Sequence, residues 1–144
     1  MDVKLVDLAL PAGGTEAVLR RLVDRLHAVG IIGNSEDALS RLVERENVMS
    51  TGIGGGIAIP HARTPEVNRT VVVLGRSLQG VEFDAIDGEP VEVVFLILGP
   101  PESSAEHVKV LARIARLVKQ PEFHAAVLKA ETAEEAMQAV RRHQ

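Results

Sequence analysis

The apolar residues of this chain recur first at helical and then at strand spacing. Between positions 15 and 29, Val18, Leu22, Leu26 and Val29 fall on one face of a helix, with Arg20, Arg21, Asp24 and Arg25 opposite. Thr15 is the expected N-cap, and Gly30 the expected stop beyond the C-terminus. A second helix is predicted from Asn34 or Ser35 to about Glu46, burying Ala38, Leu39, Leu42 and Val43. The period then changes. Ile57-Ala58-Ile59 reads as a short apolar strand, and Thr70 to Leu78 and Val91 to Leu98 as longer ones rich in β-branched residues. The last is apolar on both faces, so it is expected at the buried centre of a sheet. Asp87-Gly88 and Pro90 turn the chain ahead of it, and Gly99-Pro100-Pro101 ends it.

Beyond that point the spacing is helical again. Ser103-Ser104-Ala105-Glu106 has the form of a capping box, opening a helix to about Lys119 that buries Val108, Leu111, Ile114, Ala115 and Val118. Pro121 suits the first position of another helix. Thr132-Ala133-Glu134-Glu135 is a second capping box, opening a last helix through Val140. With a small strand near Val3 to Val6, the order predicts an α/β sandwich with a short sheet covered on both faces. The chain is expected to form a single domain over residues 1–144.

Composition narrows the function. The longest unbroken apolar run is the six residues from Val93 to Leu98, against about 20 for a membrane helix. Met1-Asp2-Val3-Lys4 lacks the layout of a signal peptide, so the expected location is cytoplasmic. The chain has no cysteine, which removes disulfides, thiolate metal sites and cysteine nucleophiles. It has no tryptophan or tyrosine, and only Phe83, Phe95 and Phe123, so it offers little on which sugars or bases stack. A net charge of -4 argues against nucleic acid as a partner.

The candidate chemistry centres on the run from Ser50 to Arg63, Ser-Thr-Gly-Ile-Gly-Gly-Gly-Ile-Ala-Ile-Pro-His-Ala-Arg. Gly54, Gly55 and Gly56 open backbone angles closed to other residues, and Pro60 stiffens the chain beside His61. His61 is expected at the end of the Ile57–Ile59 strand, bordered by open backbone amides. That setting suits a nucleophile carrying an anion; the plainer alternative is a surface histidine in a loop. His107 sits in the first turn of its helix, beside the apolar face. It is either a satisfied core histidine or a neutral imidazole able to donate to a phosphoryl oxygen, since a helix N-terminus disfavours imidazolium. Arg45 and Arg63 are either solvated charges or fixed cations for phosphate. His27, His124 and His143 have no such context. No close histidine pair marks a metal site, and no Gly-Lys-Ser/Thr follows the glycines to make a nucleotide loop.

The stretch from Ser50 to His61 resembles the active-site motif of the enzyme IIA components of the bacterial phosphoenolpyruvate-dependent sugar phosphotransferase system, fructose/mannitol class, which includes the nitrogen-regulatory IIA proteins. Arg45-Glu46 ahead of it, Phe83 to Val91, and Glu106-His107-Val108 with Leu111 to Ala115 resemble further segments of that family, in the same order. Gly55 departs from the family's frequent asparagine. Ala62-Arg63 replaces the Gly-Lys frequent in nitrogen-regulatory members and leans toward a sugar-type member. The resemblance implies a three-layer α/β/α sandwich with a small mixed sheet, of the phosphotransferase/anion transport protein-like kind. It implies that His61 accepts a phosphoryl group at Nε2 from HPr or its nitrogen-system counterpart and passes it to a cysteine of a IIB domain. His107 would orient the group and Arg45 would neutralise its charge, with no cofactor or metal. The regulatory alternative within the family is phosphorylation-dependent binding of partner proteins.

Overall fold

A computed structural model describes residues 2–102 and 104–144. Six strands form one mixed sheet: β1 (Val3–Asp7), β2 (Gly52–Gly54), β3 (Ile57–Ala58), β4 (His61–Arg63), β5 (Val71–Val81) and β6 (Val91–Gly99). β6 lies at its centre. One edge of β6 pairs antiparallel with β5, which pairs parallel with β1. Its other edge is shared end to end by β3 and β4, both parallel to it, with Pro60 at the step between them. β2 folds back antiparallel on β3.

The central strands alternate between two cores, because successive side chains leave opposite faces of a sheet. Val71, Val73, Val94, Leu96 and Leu98 pack against α1 (Thr15–Ala28) and α2 (Ser35–Val48). Val72, Leu74, Val93, Phe95 and Ile97 pack against α3 (Ser104–Val118), α4 (Pro121–Lys129) and α5 (Ala133–His143). The fold is therefore the expected three-layer α/β/α sandwich with a mixed sheet. The central position of Val91 to Leu98 and the helical stretches are as expected.

Several details differ. Gly14, not Thr15, caps α1, and the Thr15 hydroxyl donates instead to the Glu82 carbonyl at 2.9 Å. Val29 is 57% exposed, because α1 ends at Ala28 and Gly30, at φ +80°, turns the chain away. Asn34 caps α2 through its side chain, accepting from the Asp37 amide, and the helix runs on to Val48. The first capping box includes Ser103, which lies outside the described residues; Glu106 accepts from the Thr70 amide at 3.0 Å. In α3 the buried side chains are His107, Ile114 and Leu117, while Val108 is 61% exposed. The apolar stripe is thus rotated from the expected phase. Thr132 caps α5 as expected, and Glu135 accepts from the Glu131 amide. β2 and β4 were not anticipated.

One buried cation ties the end of α4 to the sheet. Arg76 of β5, 8% exposed, donates to the Leu8 carbonyl at 3.2 Å and, at the end of α4, to the carbonyls of Val127 at 3.1 Å and Ala130 at 2.5 Å. A guanidinium here answers both the unpaired carbonyls and the negative end of the helix dipole.

Candidate functional site

The step at Pro60 delivers His61 to the surface. The Pro60 carbonyl accepts from the Ile97 amide at 2.9 Å, so the proline belongs to the sheet although it donates nothing to it. His61 then opens β4 opposite Ile97, half-buried. It starts one short strand rather than ending another. Its Nδ1 lies 2.8 Å from the Ile59 carbonyl oxygen. A carbonyl only accepts, so Nδ1 carries the ring proton and Nε2 keeps a free lone pair.

His107 faces it from α3. The two ring centroids are 5.8 Å apart and tilted by 55°. His107 is 4% exposed. Burial first, then the nearby charges of Arg63 and His61, pushes its pKa down to about 4, so the ring is neutral near pH 7. Its Nδ1 is sealed from solvent and has no hydrogen-bond partner among the described residues.

The two rings line one open depression of about 730 Å³ with Arg41, Glu44, Arg45, Val48, Arg63, Val108 and Leu111. Arg45 donates to the Met49 carbonyl at 2.8 Å, just past the end of α2. Arg63 donates to the Pro101 carbonyl and the Ser104 hydroxyl, both at 3.1 Å, which ties β4 to the start of α3. Arg41 donates to Asp37 at 3.0 Å and to the Arg63 carbonyl at 3.3 Å, and the Thr64 hydroxyl donates to the same Asp37 oxygen at 3.0 Å. Three guanidiniums beside a free imidazole lone pair give the depression the chemistry to attract an anion next to a nucleophilic nitrogen.

The structure brings His61, His107, Arg45 and Arg63 together around this one depression. The glycine run does not join them. Ile57 pairs with Val93 and His61 with Ile97, and four extended residues separate the two by about 13 Å. Gly54, Gly55 and Gly56 all have positive φ and turn β2 into β3 beyond the far end of that stretch. The Gly55 amide donates to Asp87 at 3.0 Å, and Gly55 and Gly56 open on a different groove with Gln79, Asp87 and Glu92. The open amides expected beside His61 are replaced by side-chain cations. Sequence reasoning missed Arg41 and the apolar rim of Val48, Val108 and Leu111. A helical phase set on Leu117 would have turned Val108 outward.

The family model described as "Phosphoenolpyruvate-dependent sugar phosphotransferase system, EIIA 2" matches residues 1–143. The chain belongs to this family of phosphotransferase-system IIA components. It is 33% identical to the fructose-specific EIIA component of Haloferax volcanii over 130 residues, covering 90% of this chain and 84% of that protein. It is 34% identical to a nitrogen regulatory protein of Bradyrhizobium diazoefficiens over 116 residues, covering 80% of this chain and 74% of the relative. The crystal structure of the nitrogen regulatory protein IIA-Ntr from Neisseria meningitidis superposes with a TM-score of 0.85 at 29% identity, covering 94% of this chain and 92% of that one. No helix among the described residues is long and apolar enough to cross a membrane.

Proposed function

We propose that this protein is a phosphohistidine carrier in which Nε2 of His61 accepts a phosphoryl group from HPr or its nitrogen-system counterpart. The nitrogen–phosphorus bond on the donor breaks as the bond to Nε2 forms, and the Nδ1 proton stays on the ring, held by the Ile59 carbonyl. In the onward step a thiolate of a IIB domain attacks phosphorus, the bond to Nε2 breaks, and His61 returns to its neutral form. This chain has no cysteine, so the thiol comes from another domain. Little covalent chemistry is required of the protein in phosphoryl transfer; positioning and charge stabilisation dominate. His107, neutral and 5.8 Å away, orients the phosphoryl oxygens, and Arg45 swings from Met49 to offset their charge.

The observation that supports this reading is the 2.8 Å contact from Nδ1 of His61 to the Ile59 carbonyl, which leaves the Nε2 lone pair free. Incubation with phosphoenolpyruvate, enzyme I and HPr or its nitrogen-system counterpart is expected to add one acid-labile phosphoryl group, seen by mass spectrometry. His61→Ala abolishes the gain, and His107→Ala accepts the group but transfers it poorly. A wild-type chain left unmodified by both donors overturns the proposal.

Similarity to nitrogen regulatory proteins favours a second use of the same chemistry. A phosphoryl group on His61 adds a charge of about -2 to the depression and would switch the binding of partner proteins there. Pull-downs with phosphorylated and unphosphorylated protein separate the two: state-dependent capture of non-transport proteins marks the regulatory role, and capture of a IIB component the transport role.

A further inference from the structure

Two sealed polar atoms that the relay does not use lie on the same side of β6, at Gly99. Nδ1 of His107 and Oγ1 of Thr70 are both buried, and neither has a hydrogen-bond partner among the described residues. Thr70 directly precedes β5, and the pairing of Val71 with Leu98 sets it beside Gly99 of β6. A β-carbon added to Gly99 would lie 2.7 Å from Nδ1 of His107 and 3.4 Å from Oγ1 of Thr70. Both atoms therefore flank one point, over a residue that has no side chain to part them. The Thr70 amide donates to Glu106 at 3.0 Å, and Glu106 is the residue before His107. That clamp fixes the backbone of Thr70 against the first turn of α3.

We propose that Thr70 is a positioning residue for His107: rotation about its χ1 brings the hydroxyl to donate to Nδ1. The inference rests on the relay proposed for His61. A neutral imidazole carries one proton, and a hydroxyl donated to Nδ1 leaves that proton on Nε2. Nδ1 is sealed, yet His107 lines the depression with His61, so the ring presents its other edge there. Phosphoryl oxygens only accept hydrogen bonds, so His107 acts on the group only when its proton is on Nε2. Thr70 thereby selects the useful tautomer from beneath, as the Ile59 carbonyl selects that of His61. The two rings end in opposite forms. His61 offers a lone pair to phosphorus, and His107 offers a proton to its oxygens. The same contact satisfies two buried atoms that are otherwise costly to leave without partners.

The test is ¹⁵N NMR of the histidine rings in wild type, Thr70→Val and Thr70→Ser, with thermal melts to confirm folding. In wild type His107 is expected as the Nε2–H tautomer. Thr70→Val shifts it toward Nδ1–H, and Thr70→Ser restores it. Phosphoryl transfer from His61 to a IIB thiol is expected to slow about fivefold to tenfold in Thr70→Val, the weight of one hydrogen bond, and to recover in Thr70→Ser. A wild-type ring protonated on Nδ1, or a tautomer unmoved by Thr70→Val, overturns the assignment. If His61 accepts no phosphoryl group, the relay reading fails while the tautomer measurement still decides the role of Thr70.

Discussion

Gly99 yields its place to the ring of His107: a β-carbon at residue 99 would sit 2.7 Å from Nδ1. The residue that ends the central strand is thus chosen by the helix beyond it. Gly99→Ala is expected to push His107 outward and to destabilise the fold by about 1–3 kcal/mol through overpacking. Urea unfolding measures the cost, and histidine NMR the displaced ring. An alanine variant of unchanged stability, with His107 in place, contradicts this packing.

Stability is expected to depend on pH through His107. Its pKa is about 4 in the folded chain against the ordinary 6.5. Above 6.5 the ring is neutral in both states and contributes its full share. As pH falls from 6.5 to 4, the unfolded chain binds a proton that the folded chain refuses, and stability declines by up to about 3 kcal/mol. His107→Gln should flatten that slope in unfolding curves taken across the window. After phosphorylation of His61 the neighbouring anion favours imidazolium, so the midpoint of His107 should rise. A free-state midpoint near 6.5 would rule out the buried neutral ring.

Arg45→Ala is expected to slow transfer onto His61 about tenfold. Loss of a fully buried donor would cost more, but this guanidinium is partly solvated. Arg45→Lys keeps the charge without the planar fork and should recover part of the rate. Rapid-quench kinetics with a phosphorylated donor reads both variants, and an alanine variant as fast as wild type would remove Arg45 from the site.

Arg76→Met is expected to cost about 2–4 kcal/mol. The thioether fills the space but leaves the Leu8, Val127 and Ala130 carbonyls without their donor. Thermal unfolding with intact phosphorylation of the surviving folded fraction would separate this anchor from the chemistry. Unchanged stability would mean that those carbonyls find other partners.

The layers of the fold were legible because periodicity is a local property. Val91 to Leu98 is apolar at every position but Glu92, and only a strand covered on both faces needs that pattern. β4 was not legible, because three residues carry no period and its existence depends on Ile97 to Gly99 lying alongside. The site was half legible. His61, His107, Arg45 and Arg63 stand out as candidates by residue type and neighbours, each with a plainer reading beside it, and only the fold places them around one depression. Arg41 does not, since its place depends on Asp37 and on the Arg63 carbonyl, 22 residues away. The glycines misled for a physical reason: closeness in sequence became distance in space once the residues between were extended.

The acceptor that orients His61 is a main-chain oxygen two residues earlier, in a segment pinned to β6 on either side of Pro60. Chemical polarity at the His61 ring is therefore written into the path of the polypeptide and owes nothing to any neighbouring side group. Exchange of a side chain elsewhere on the rim, such as Val48 or Val108, leaves that protonation pattern in place, because the fold of the backbone sets it.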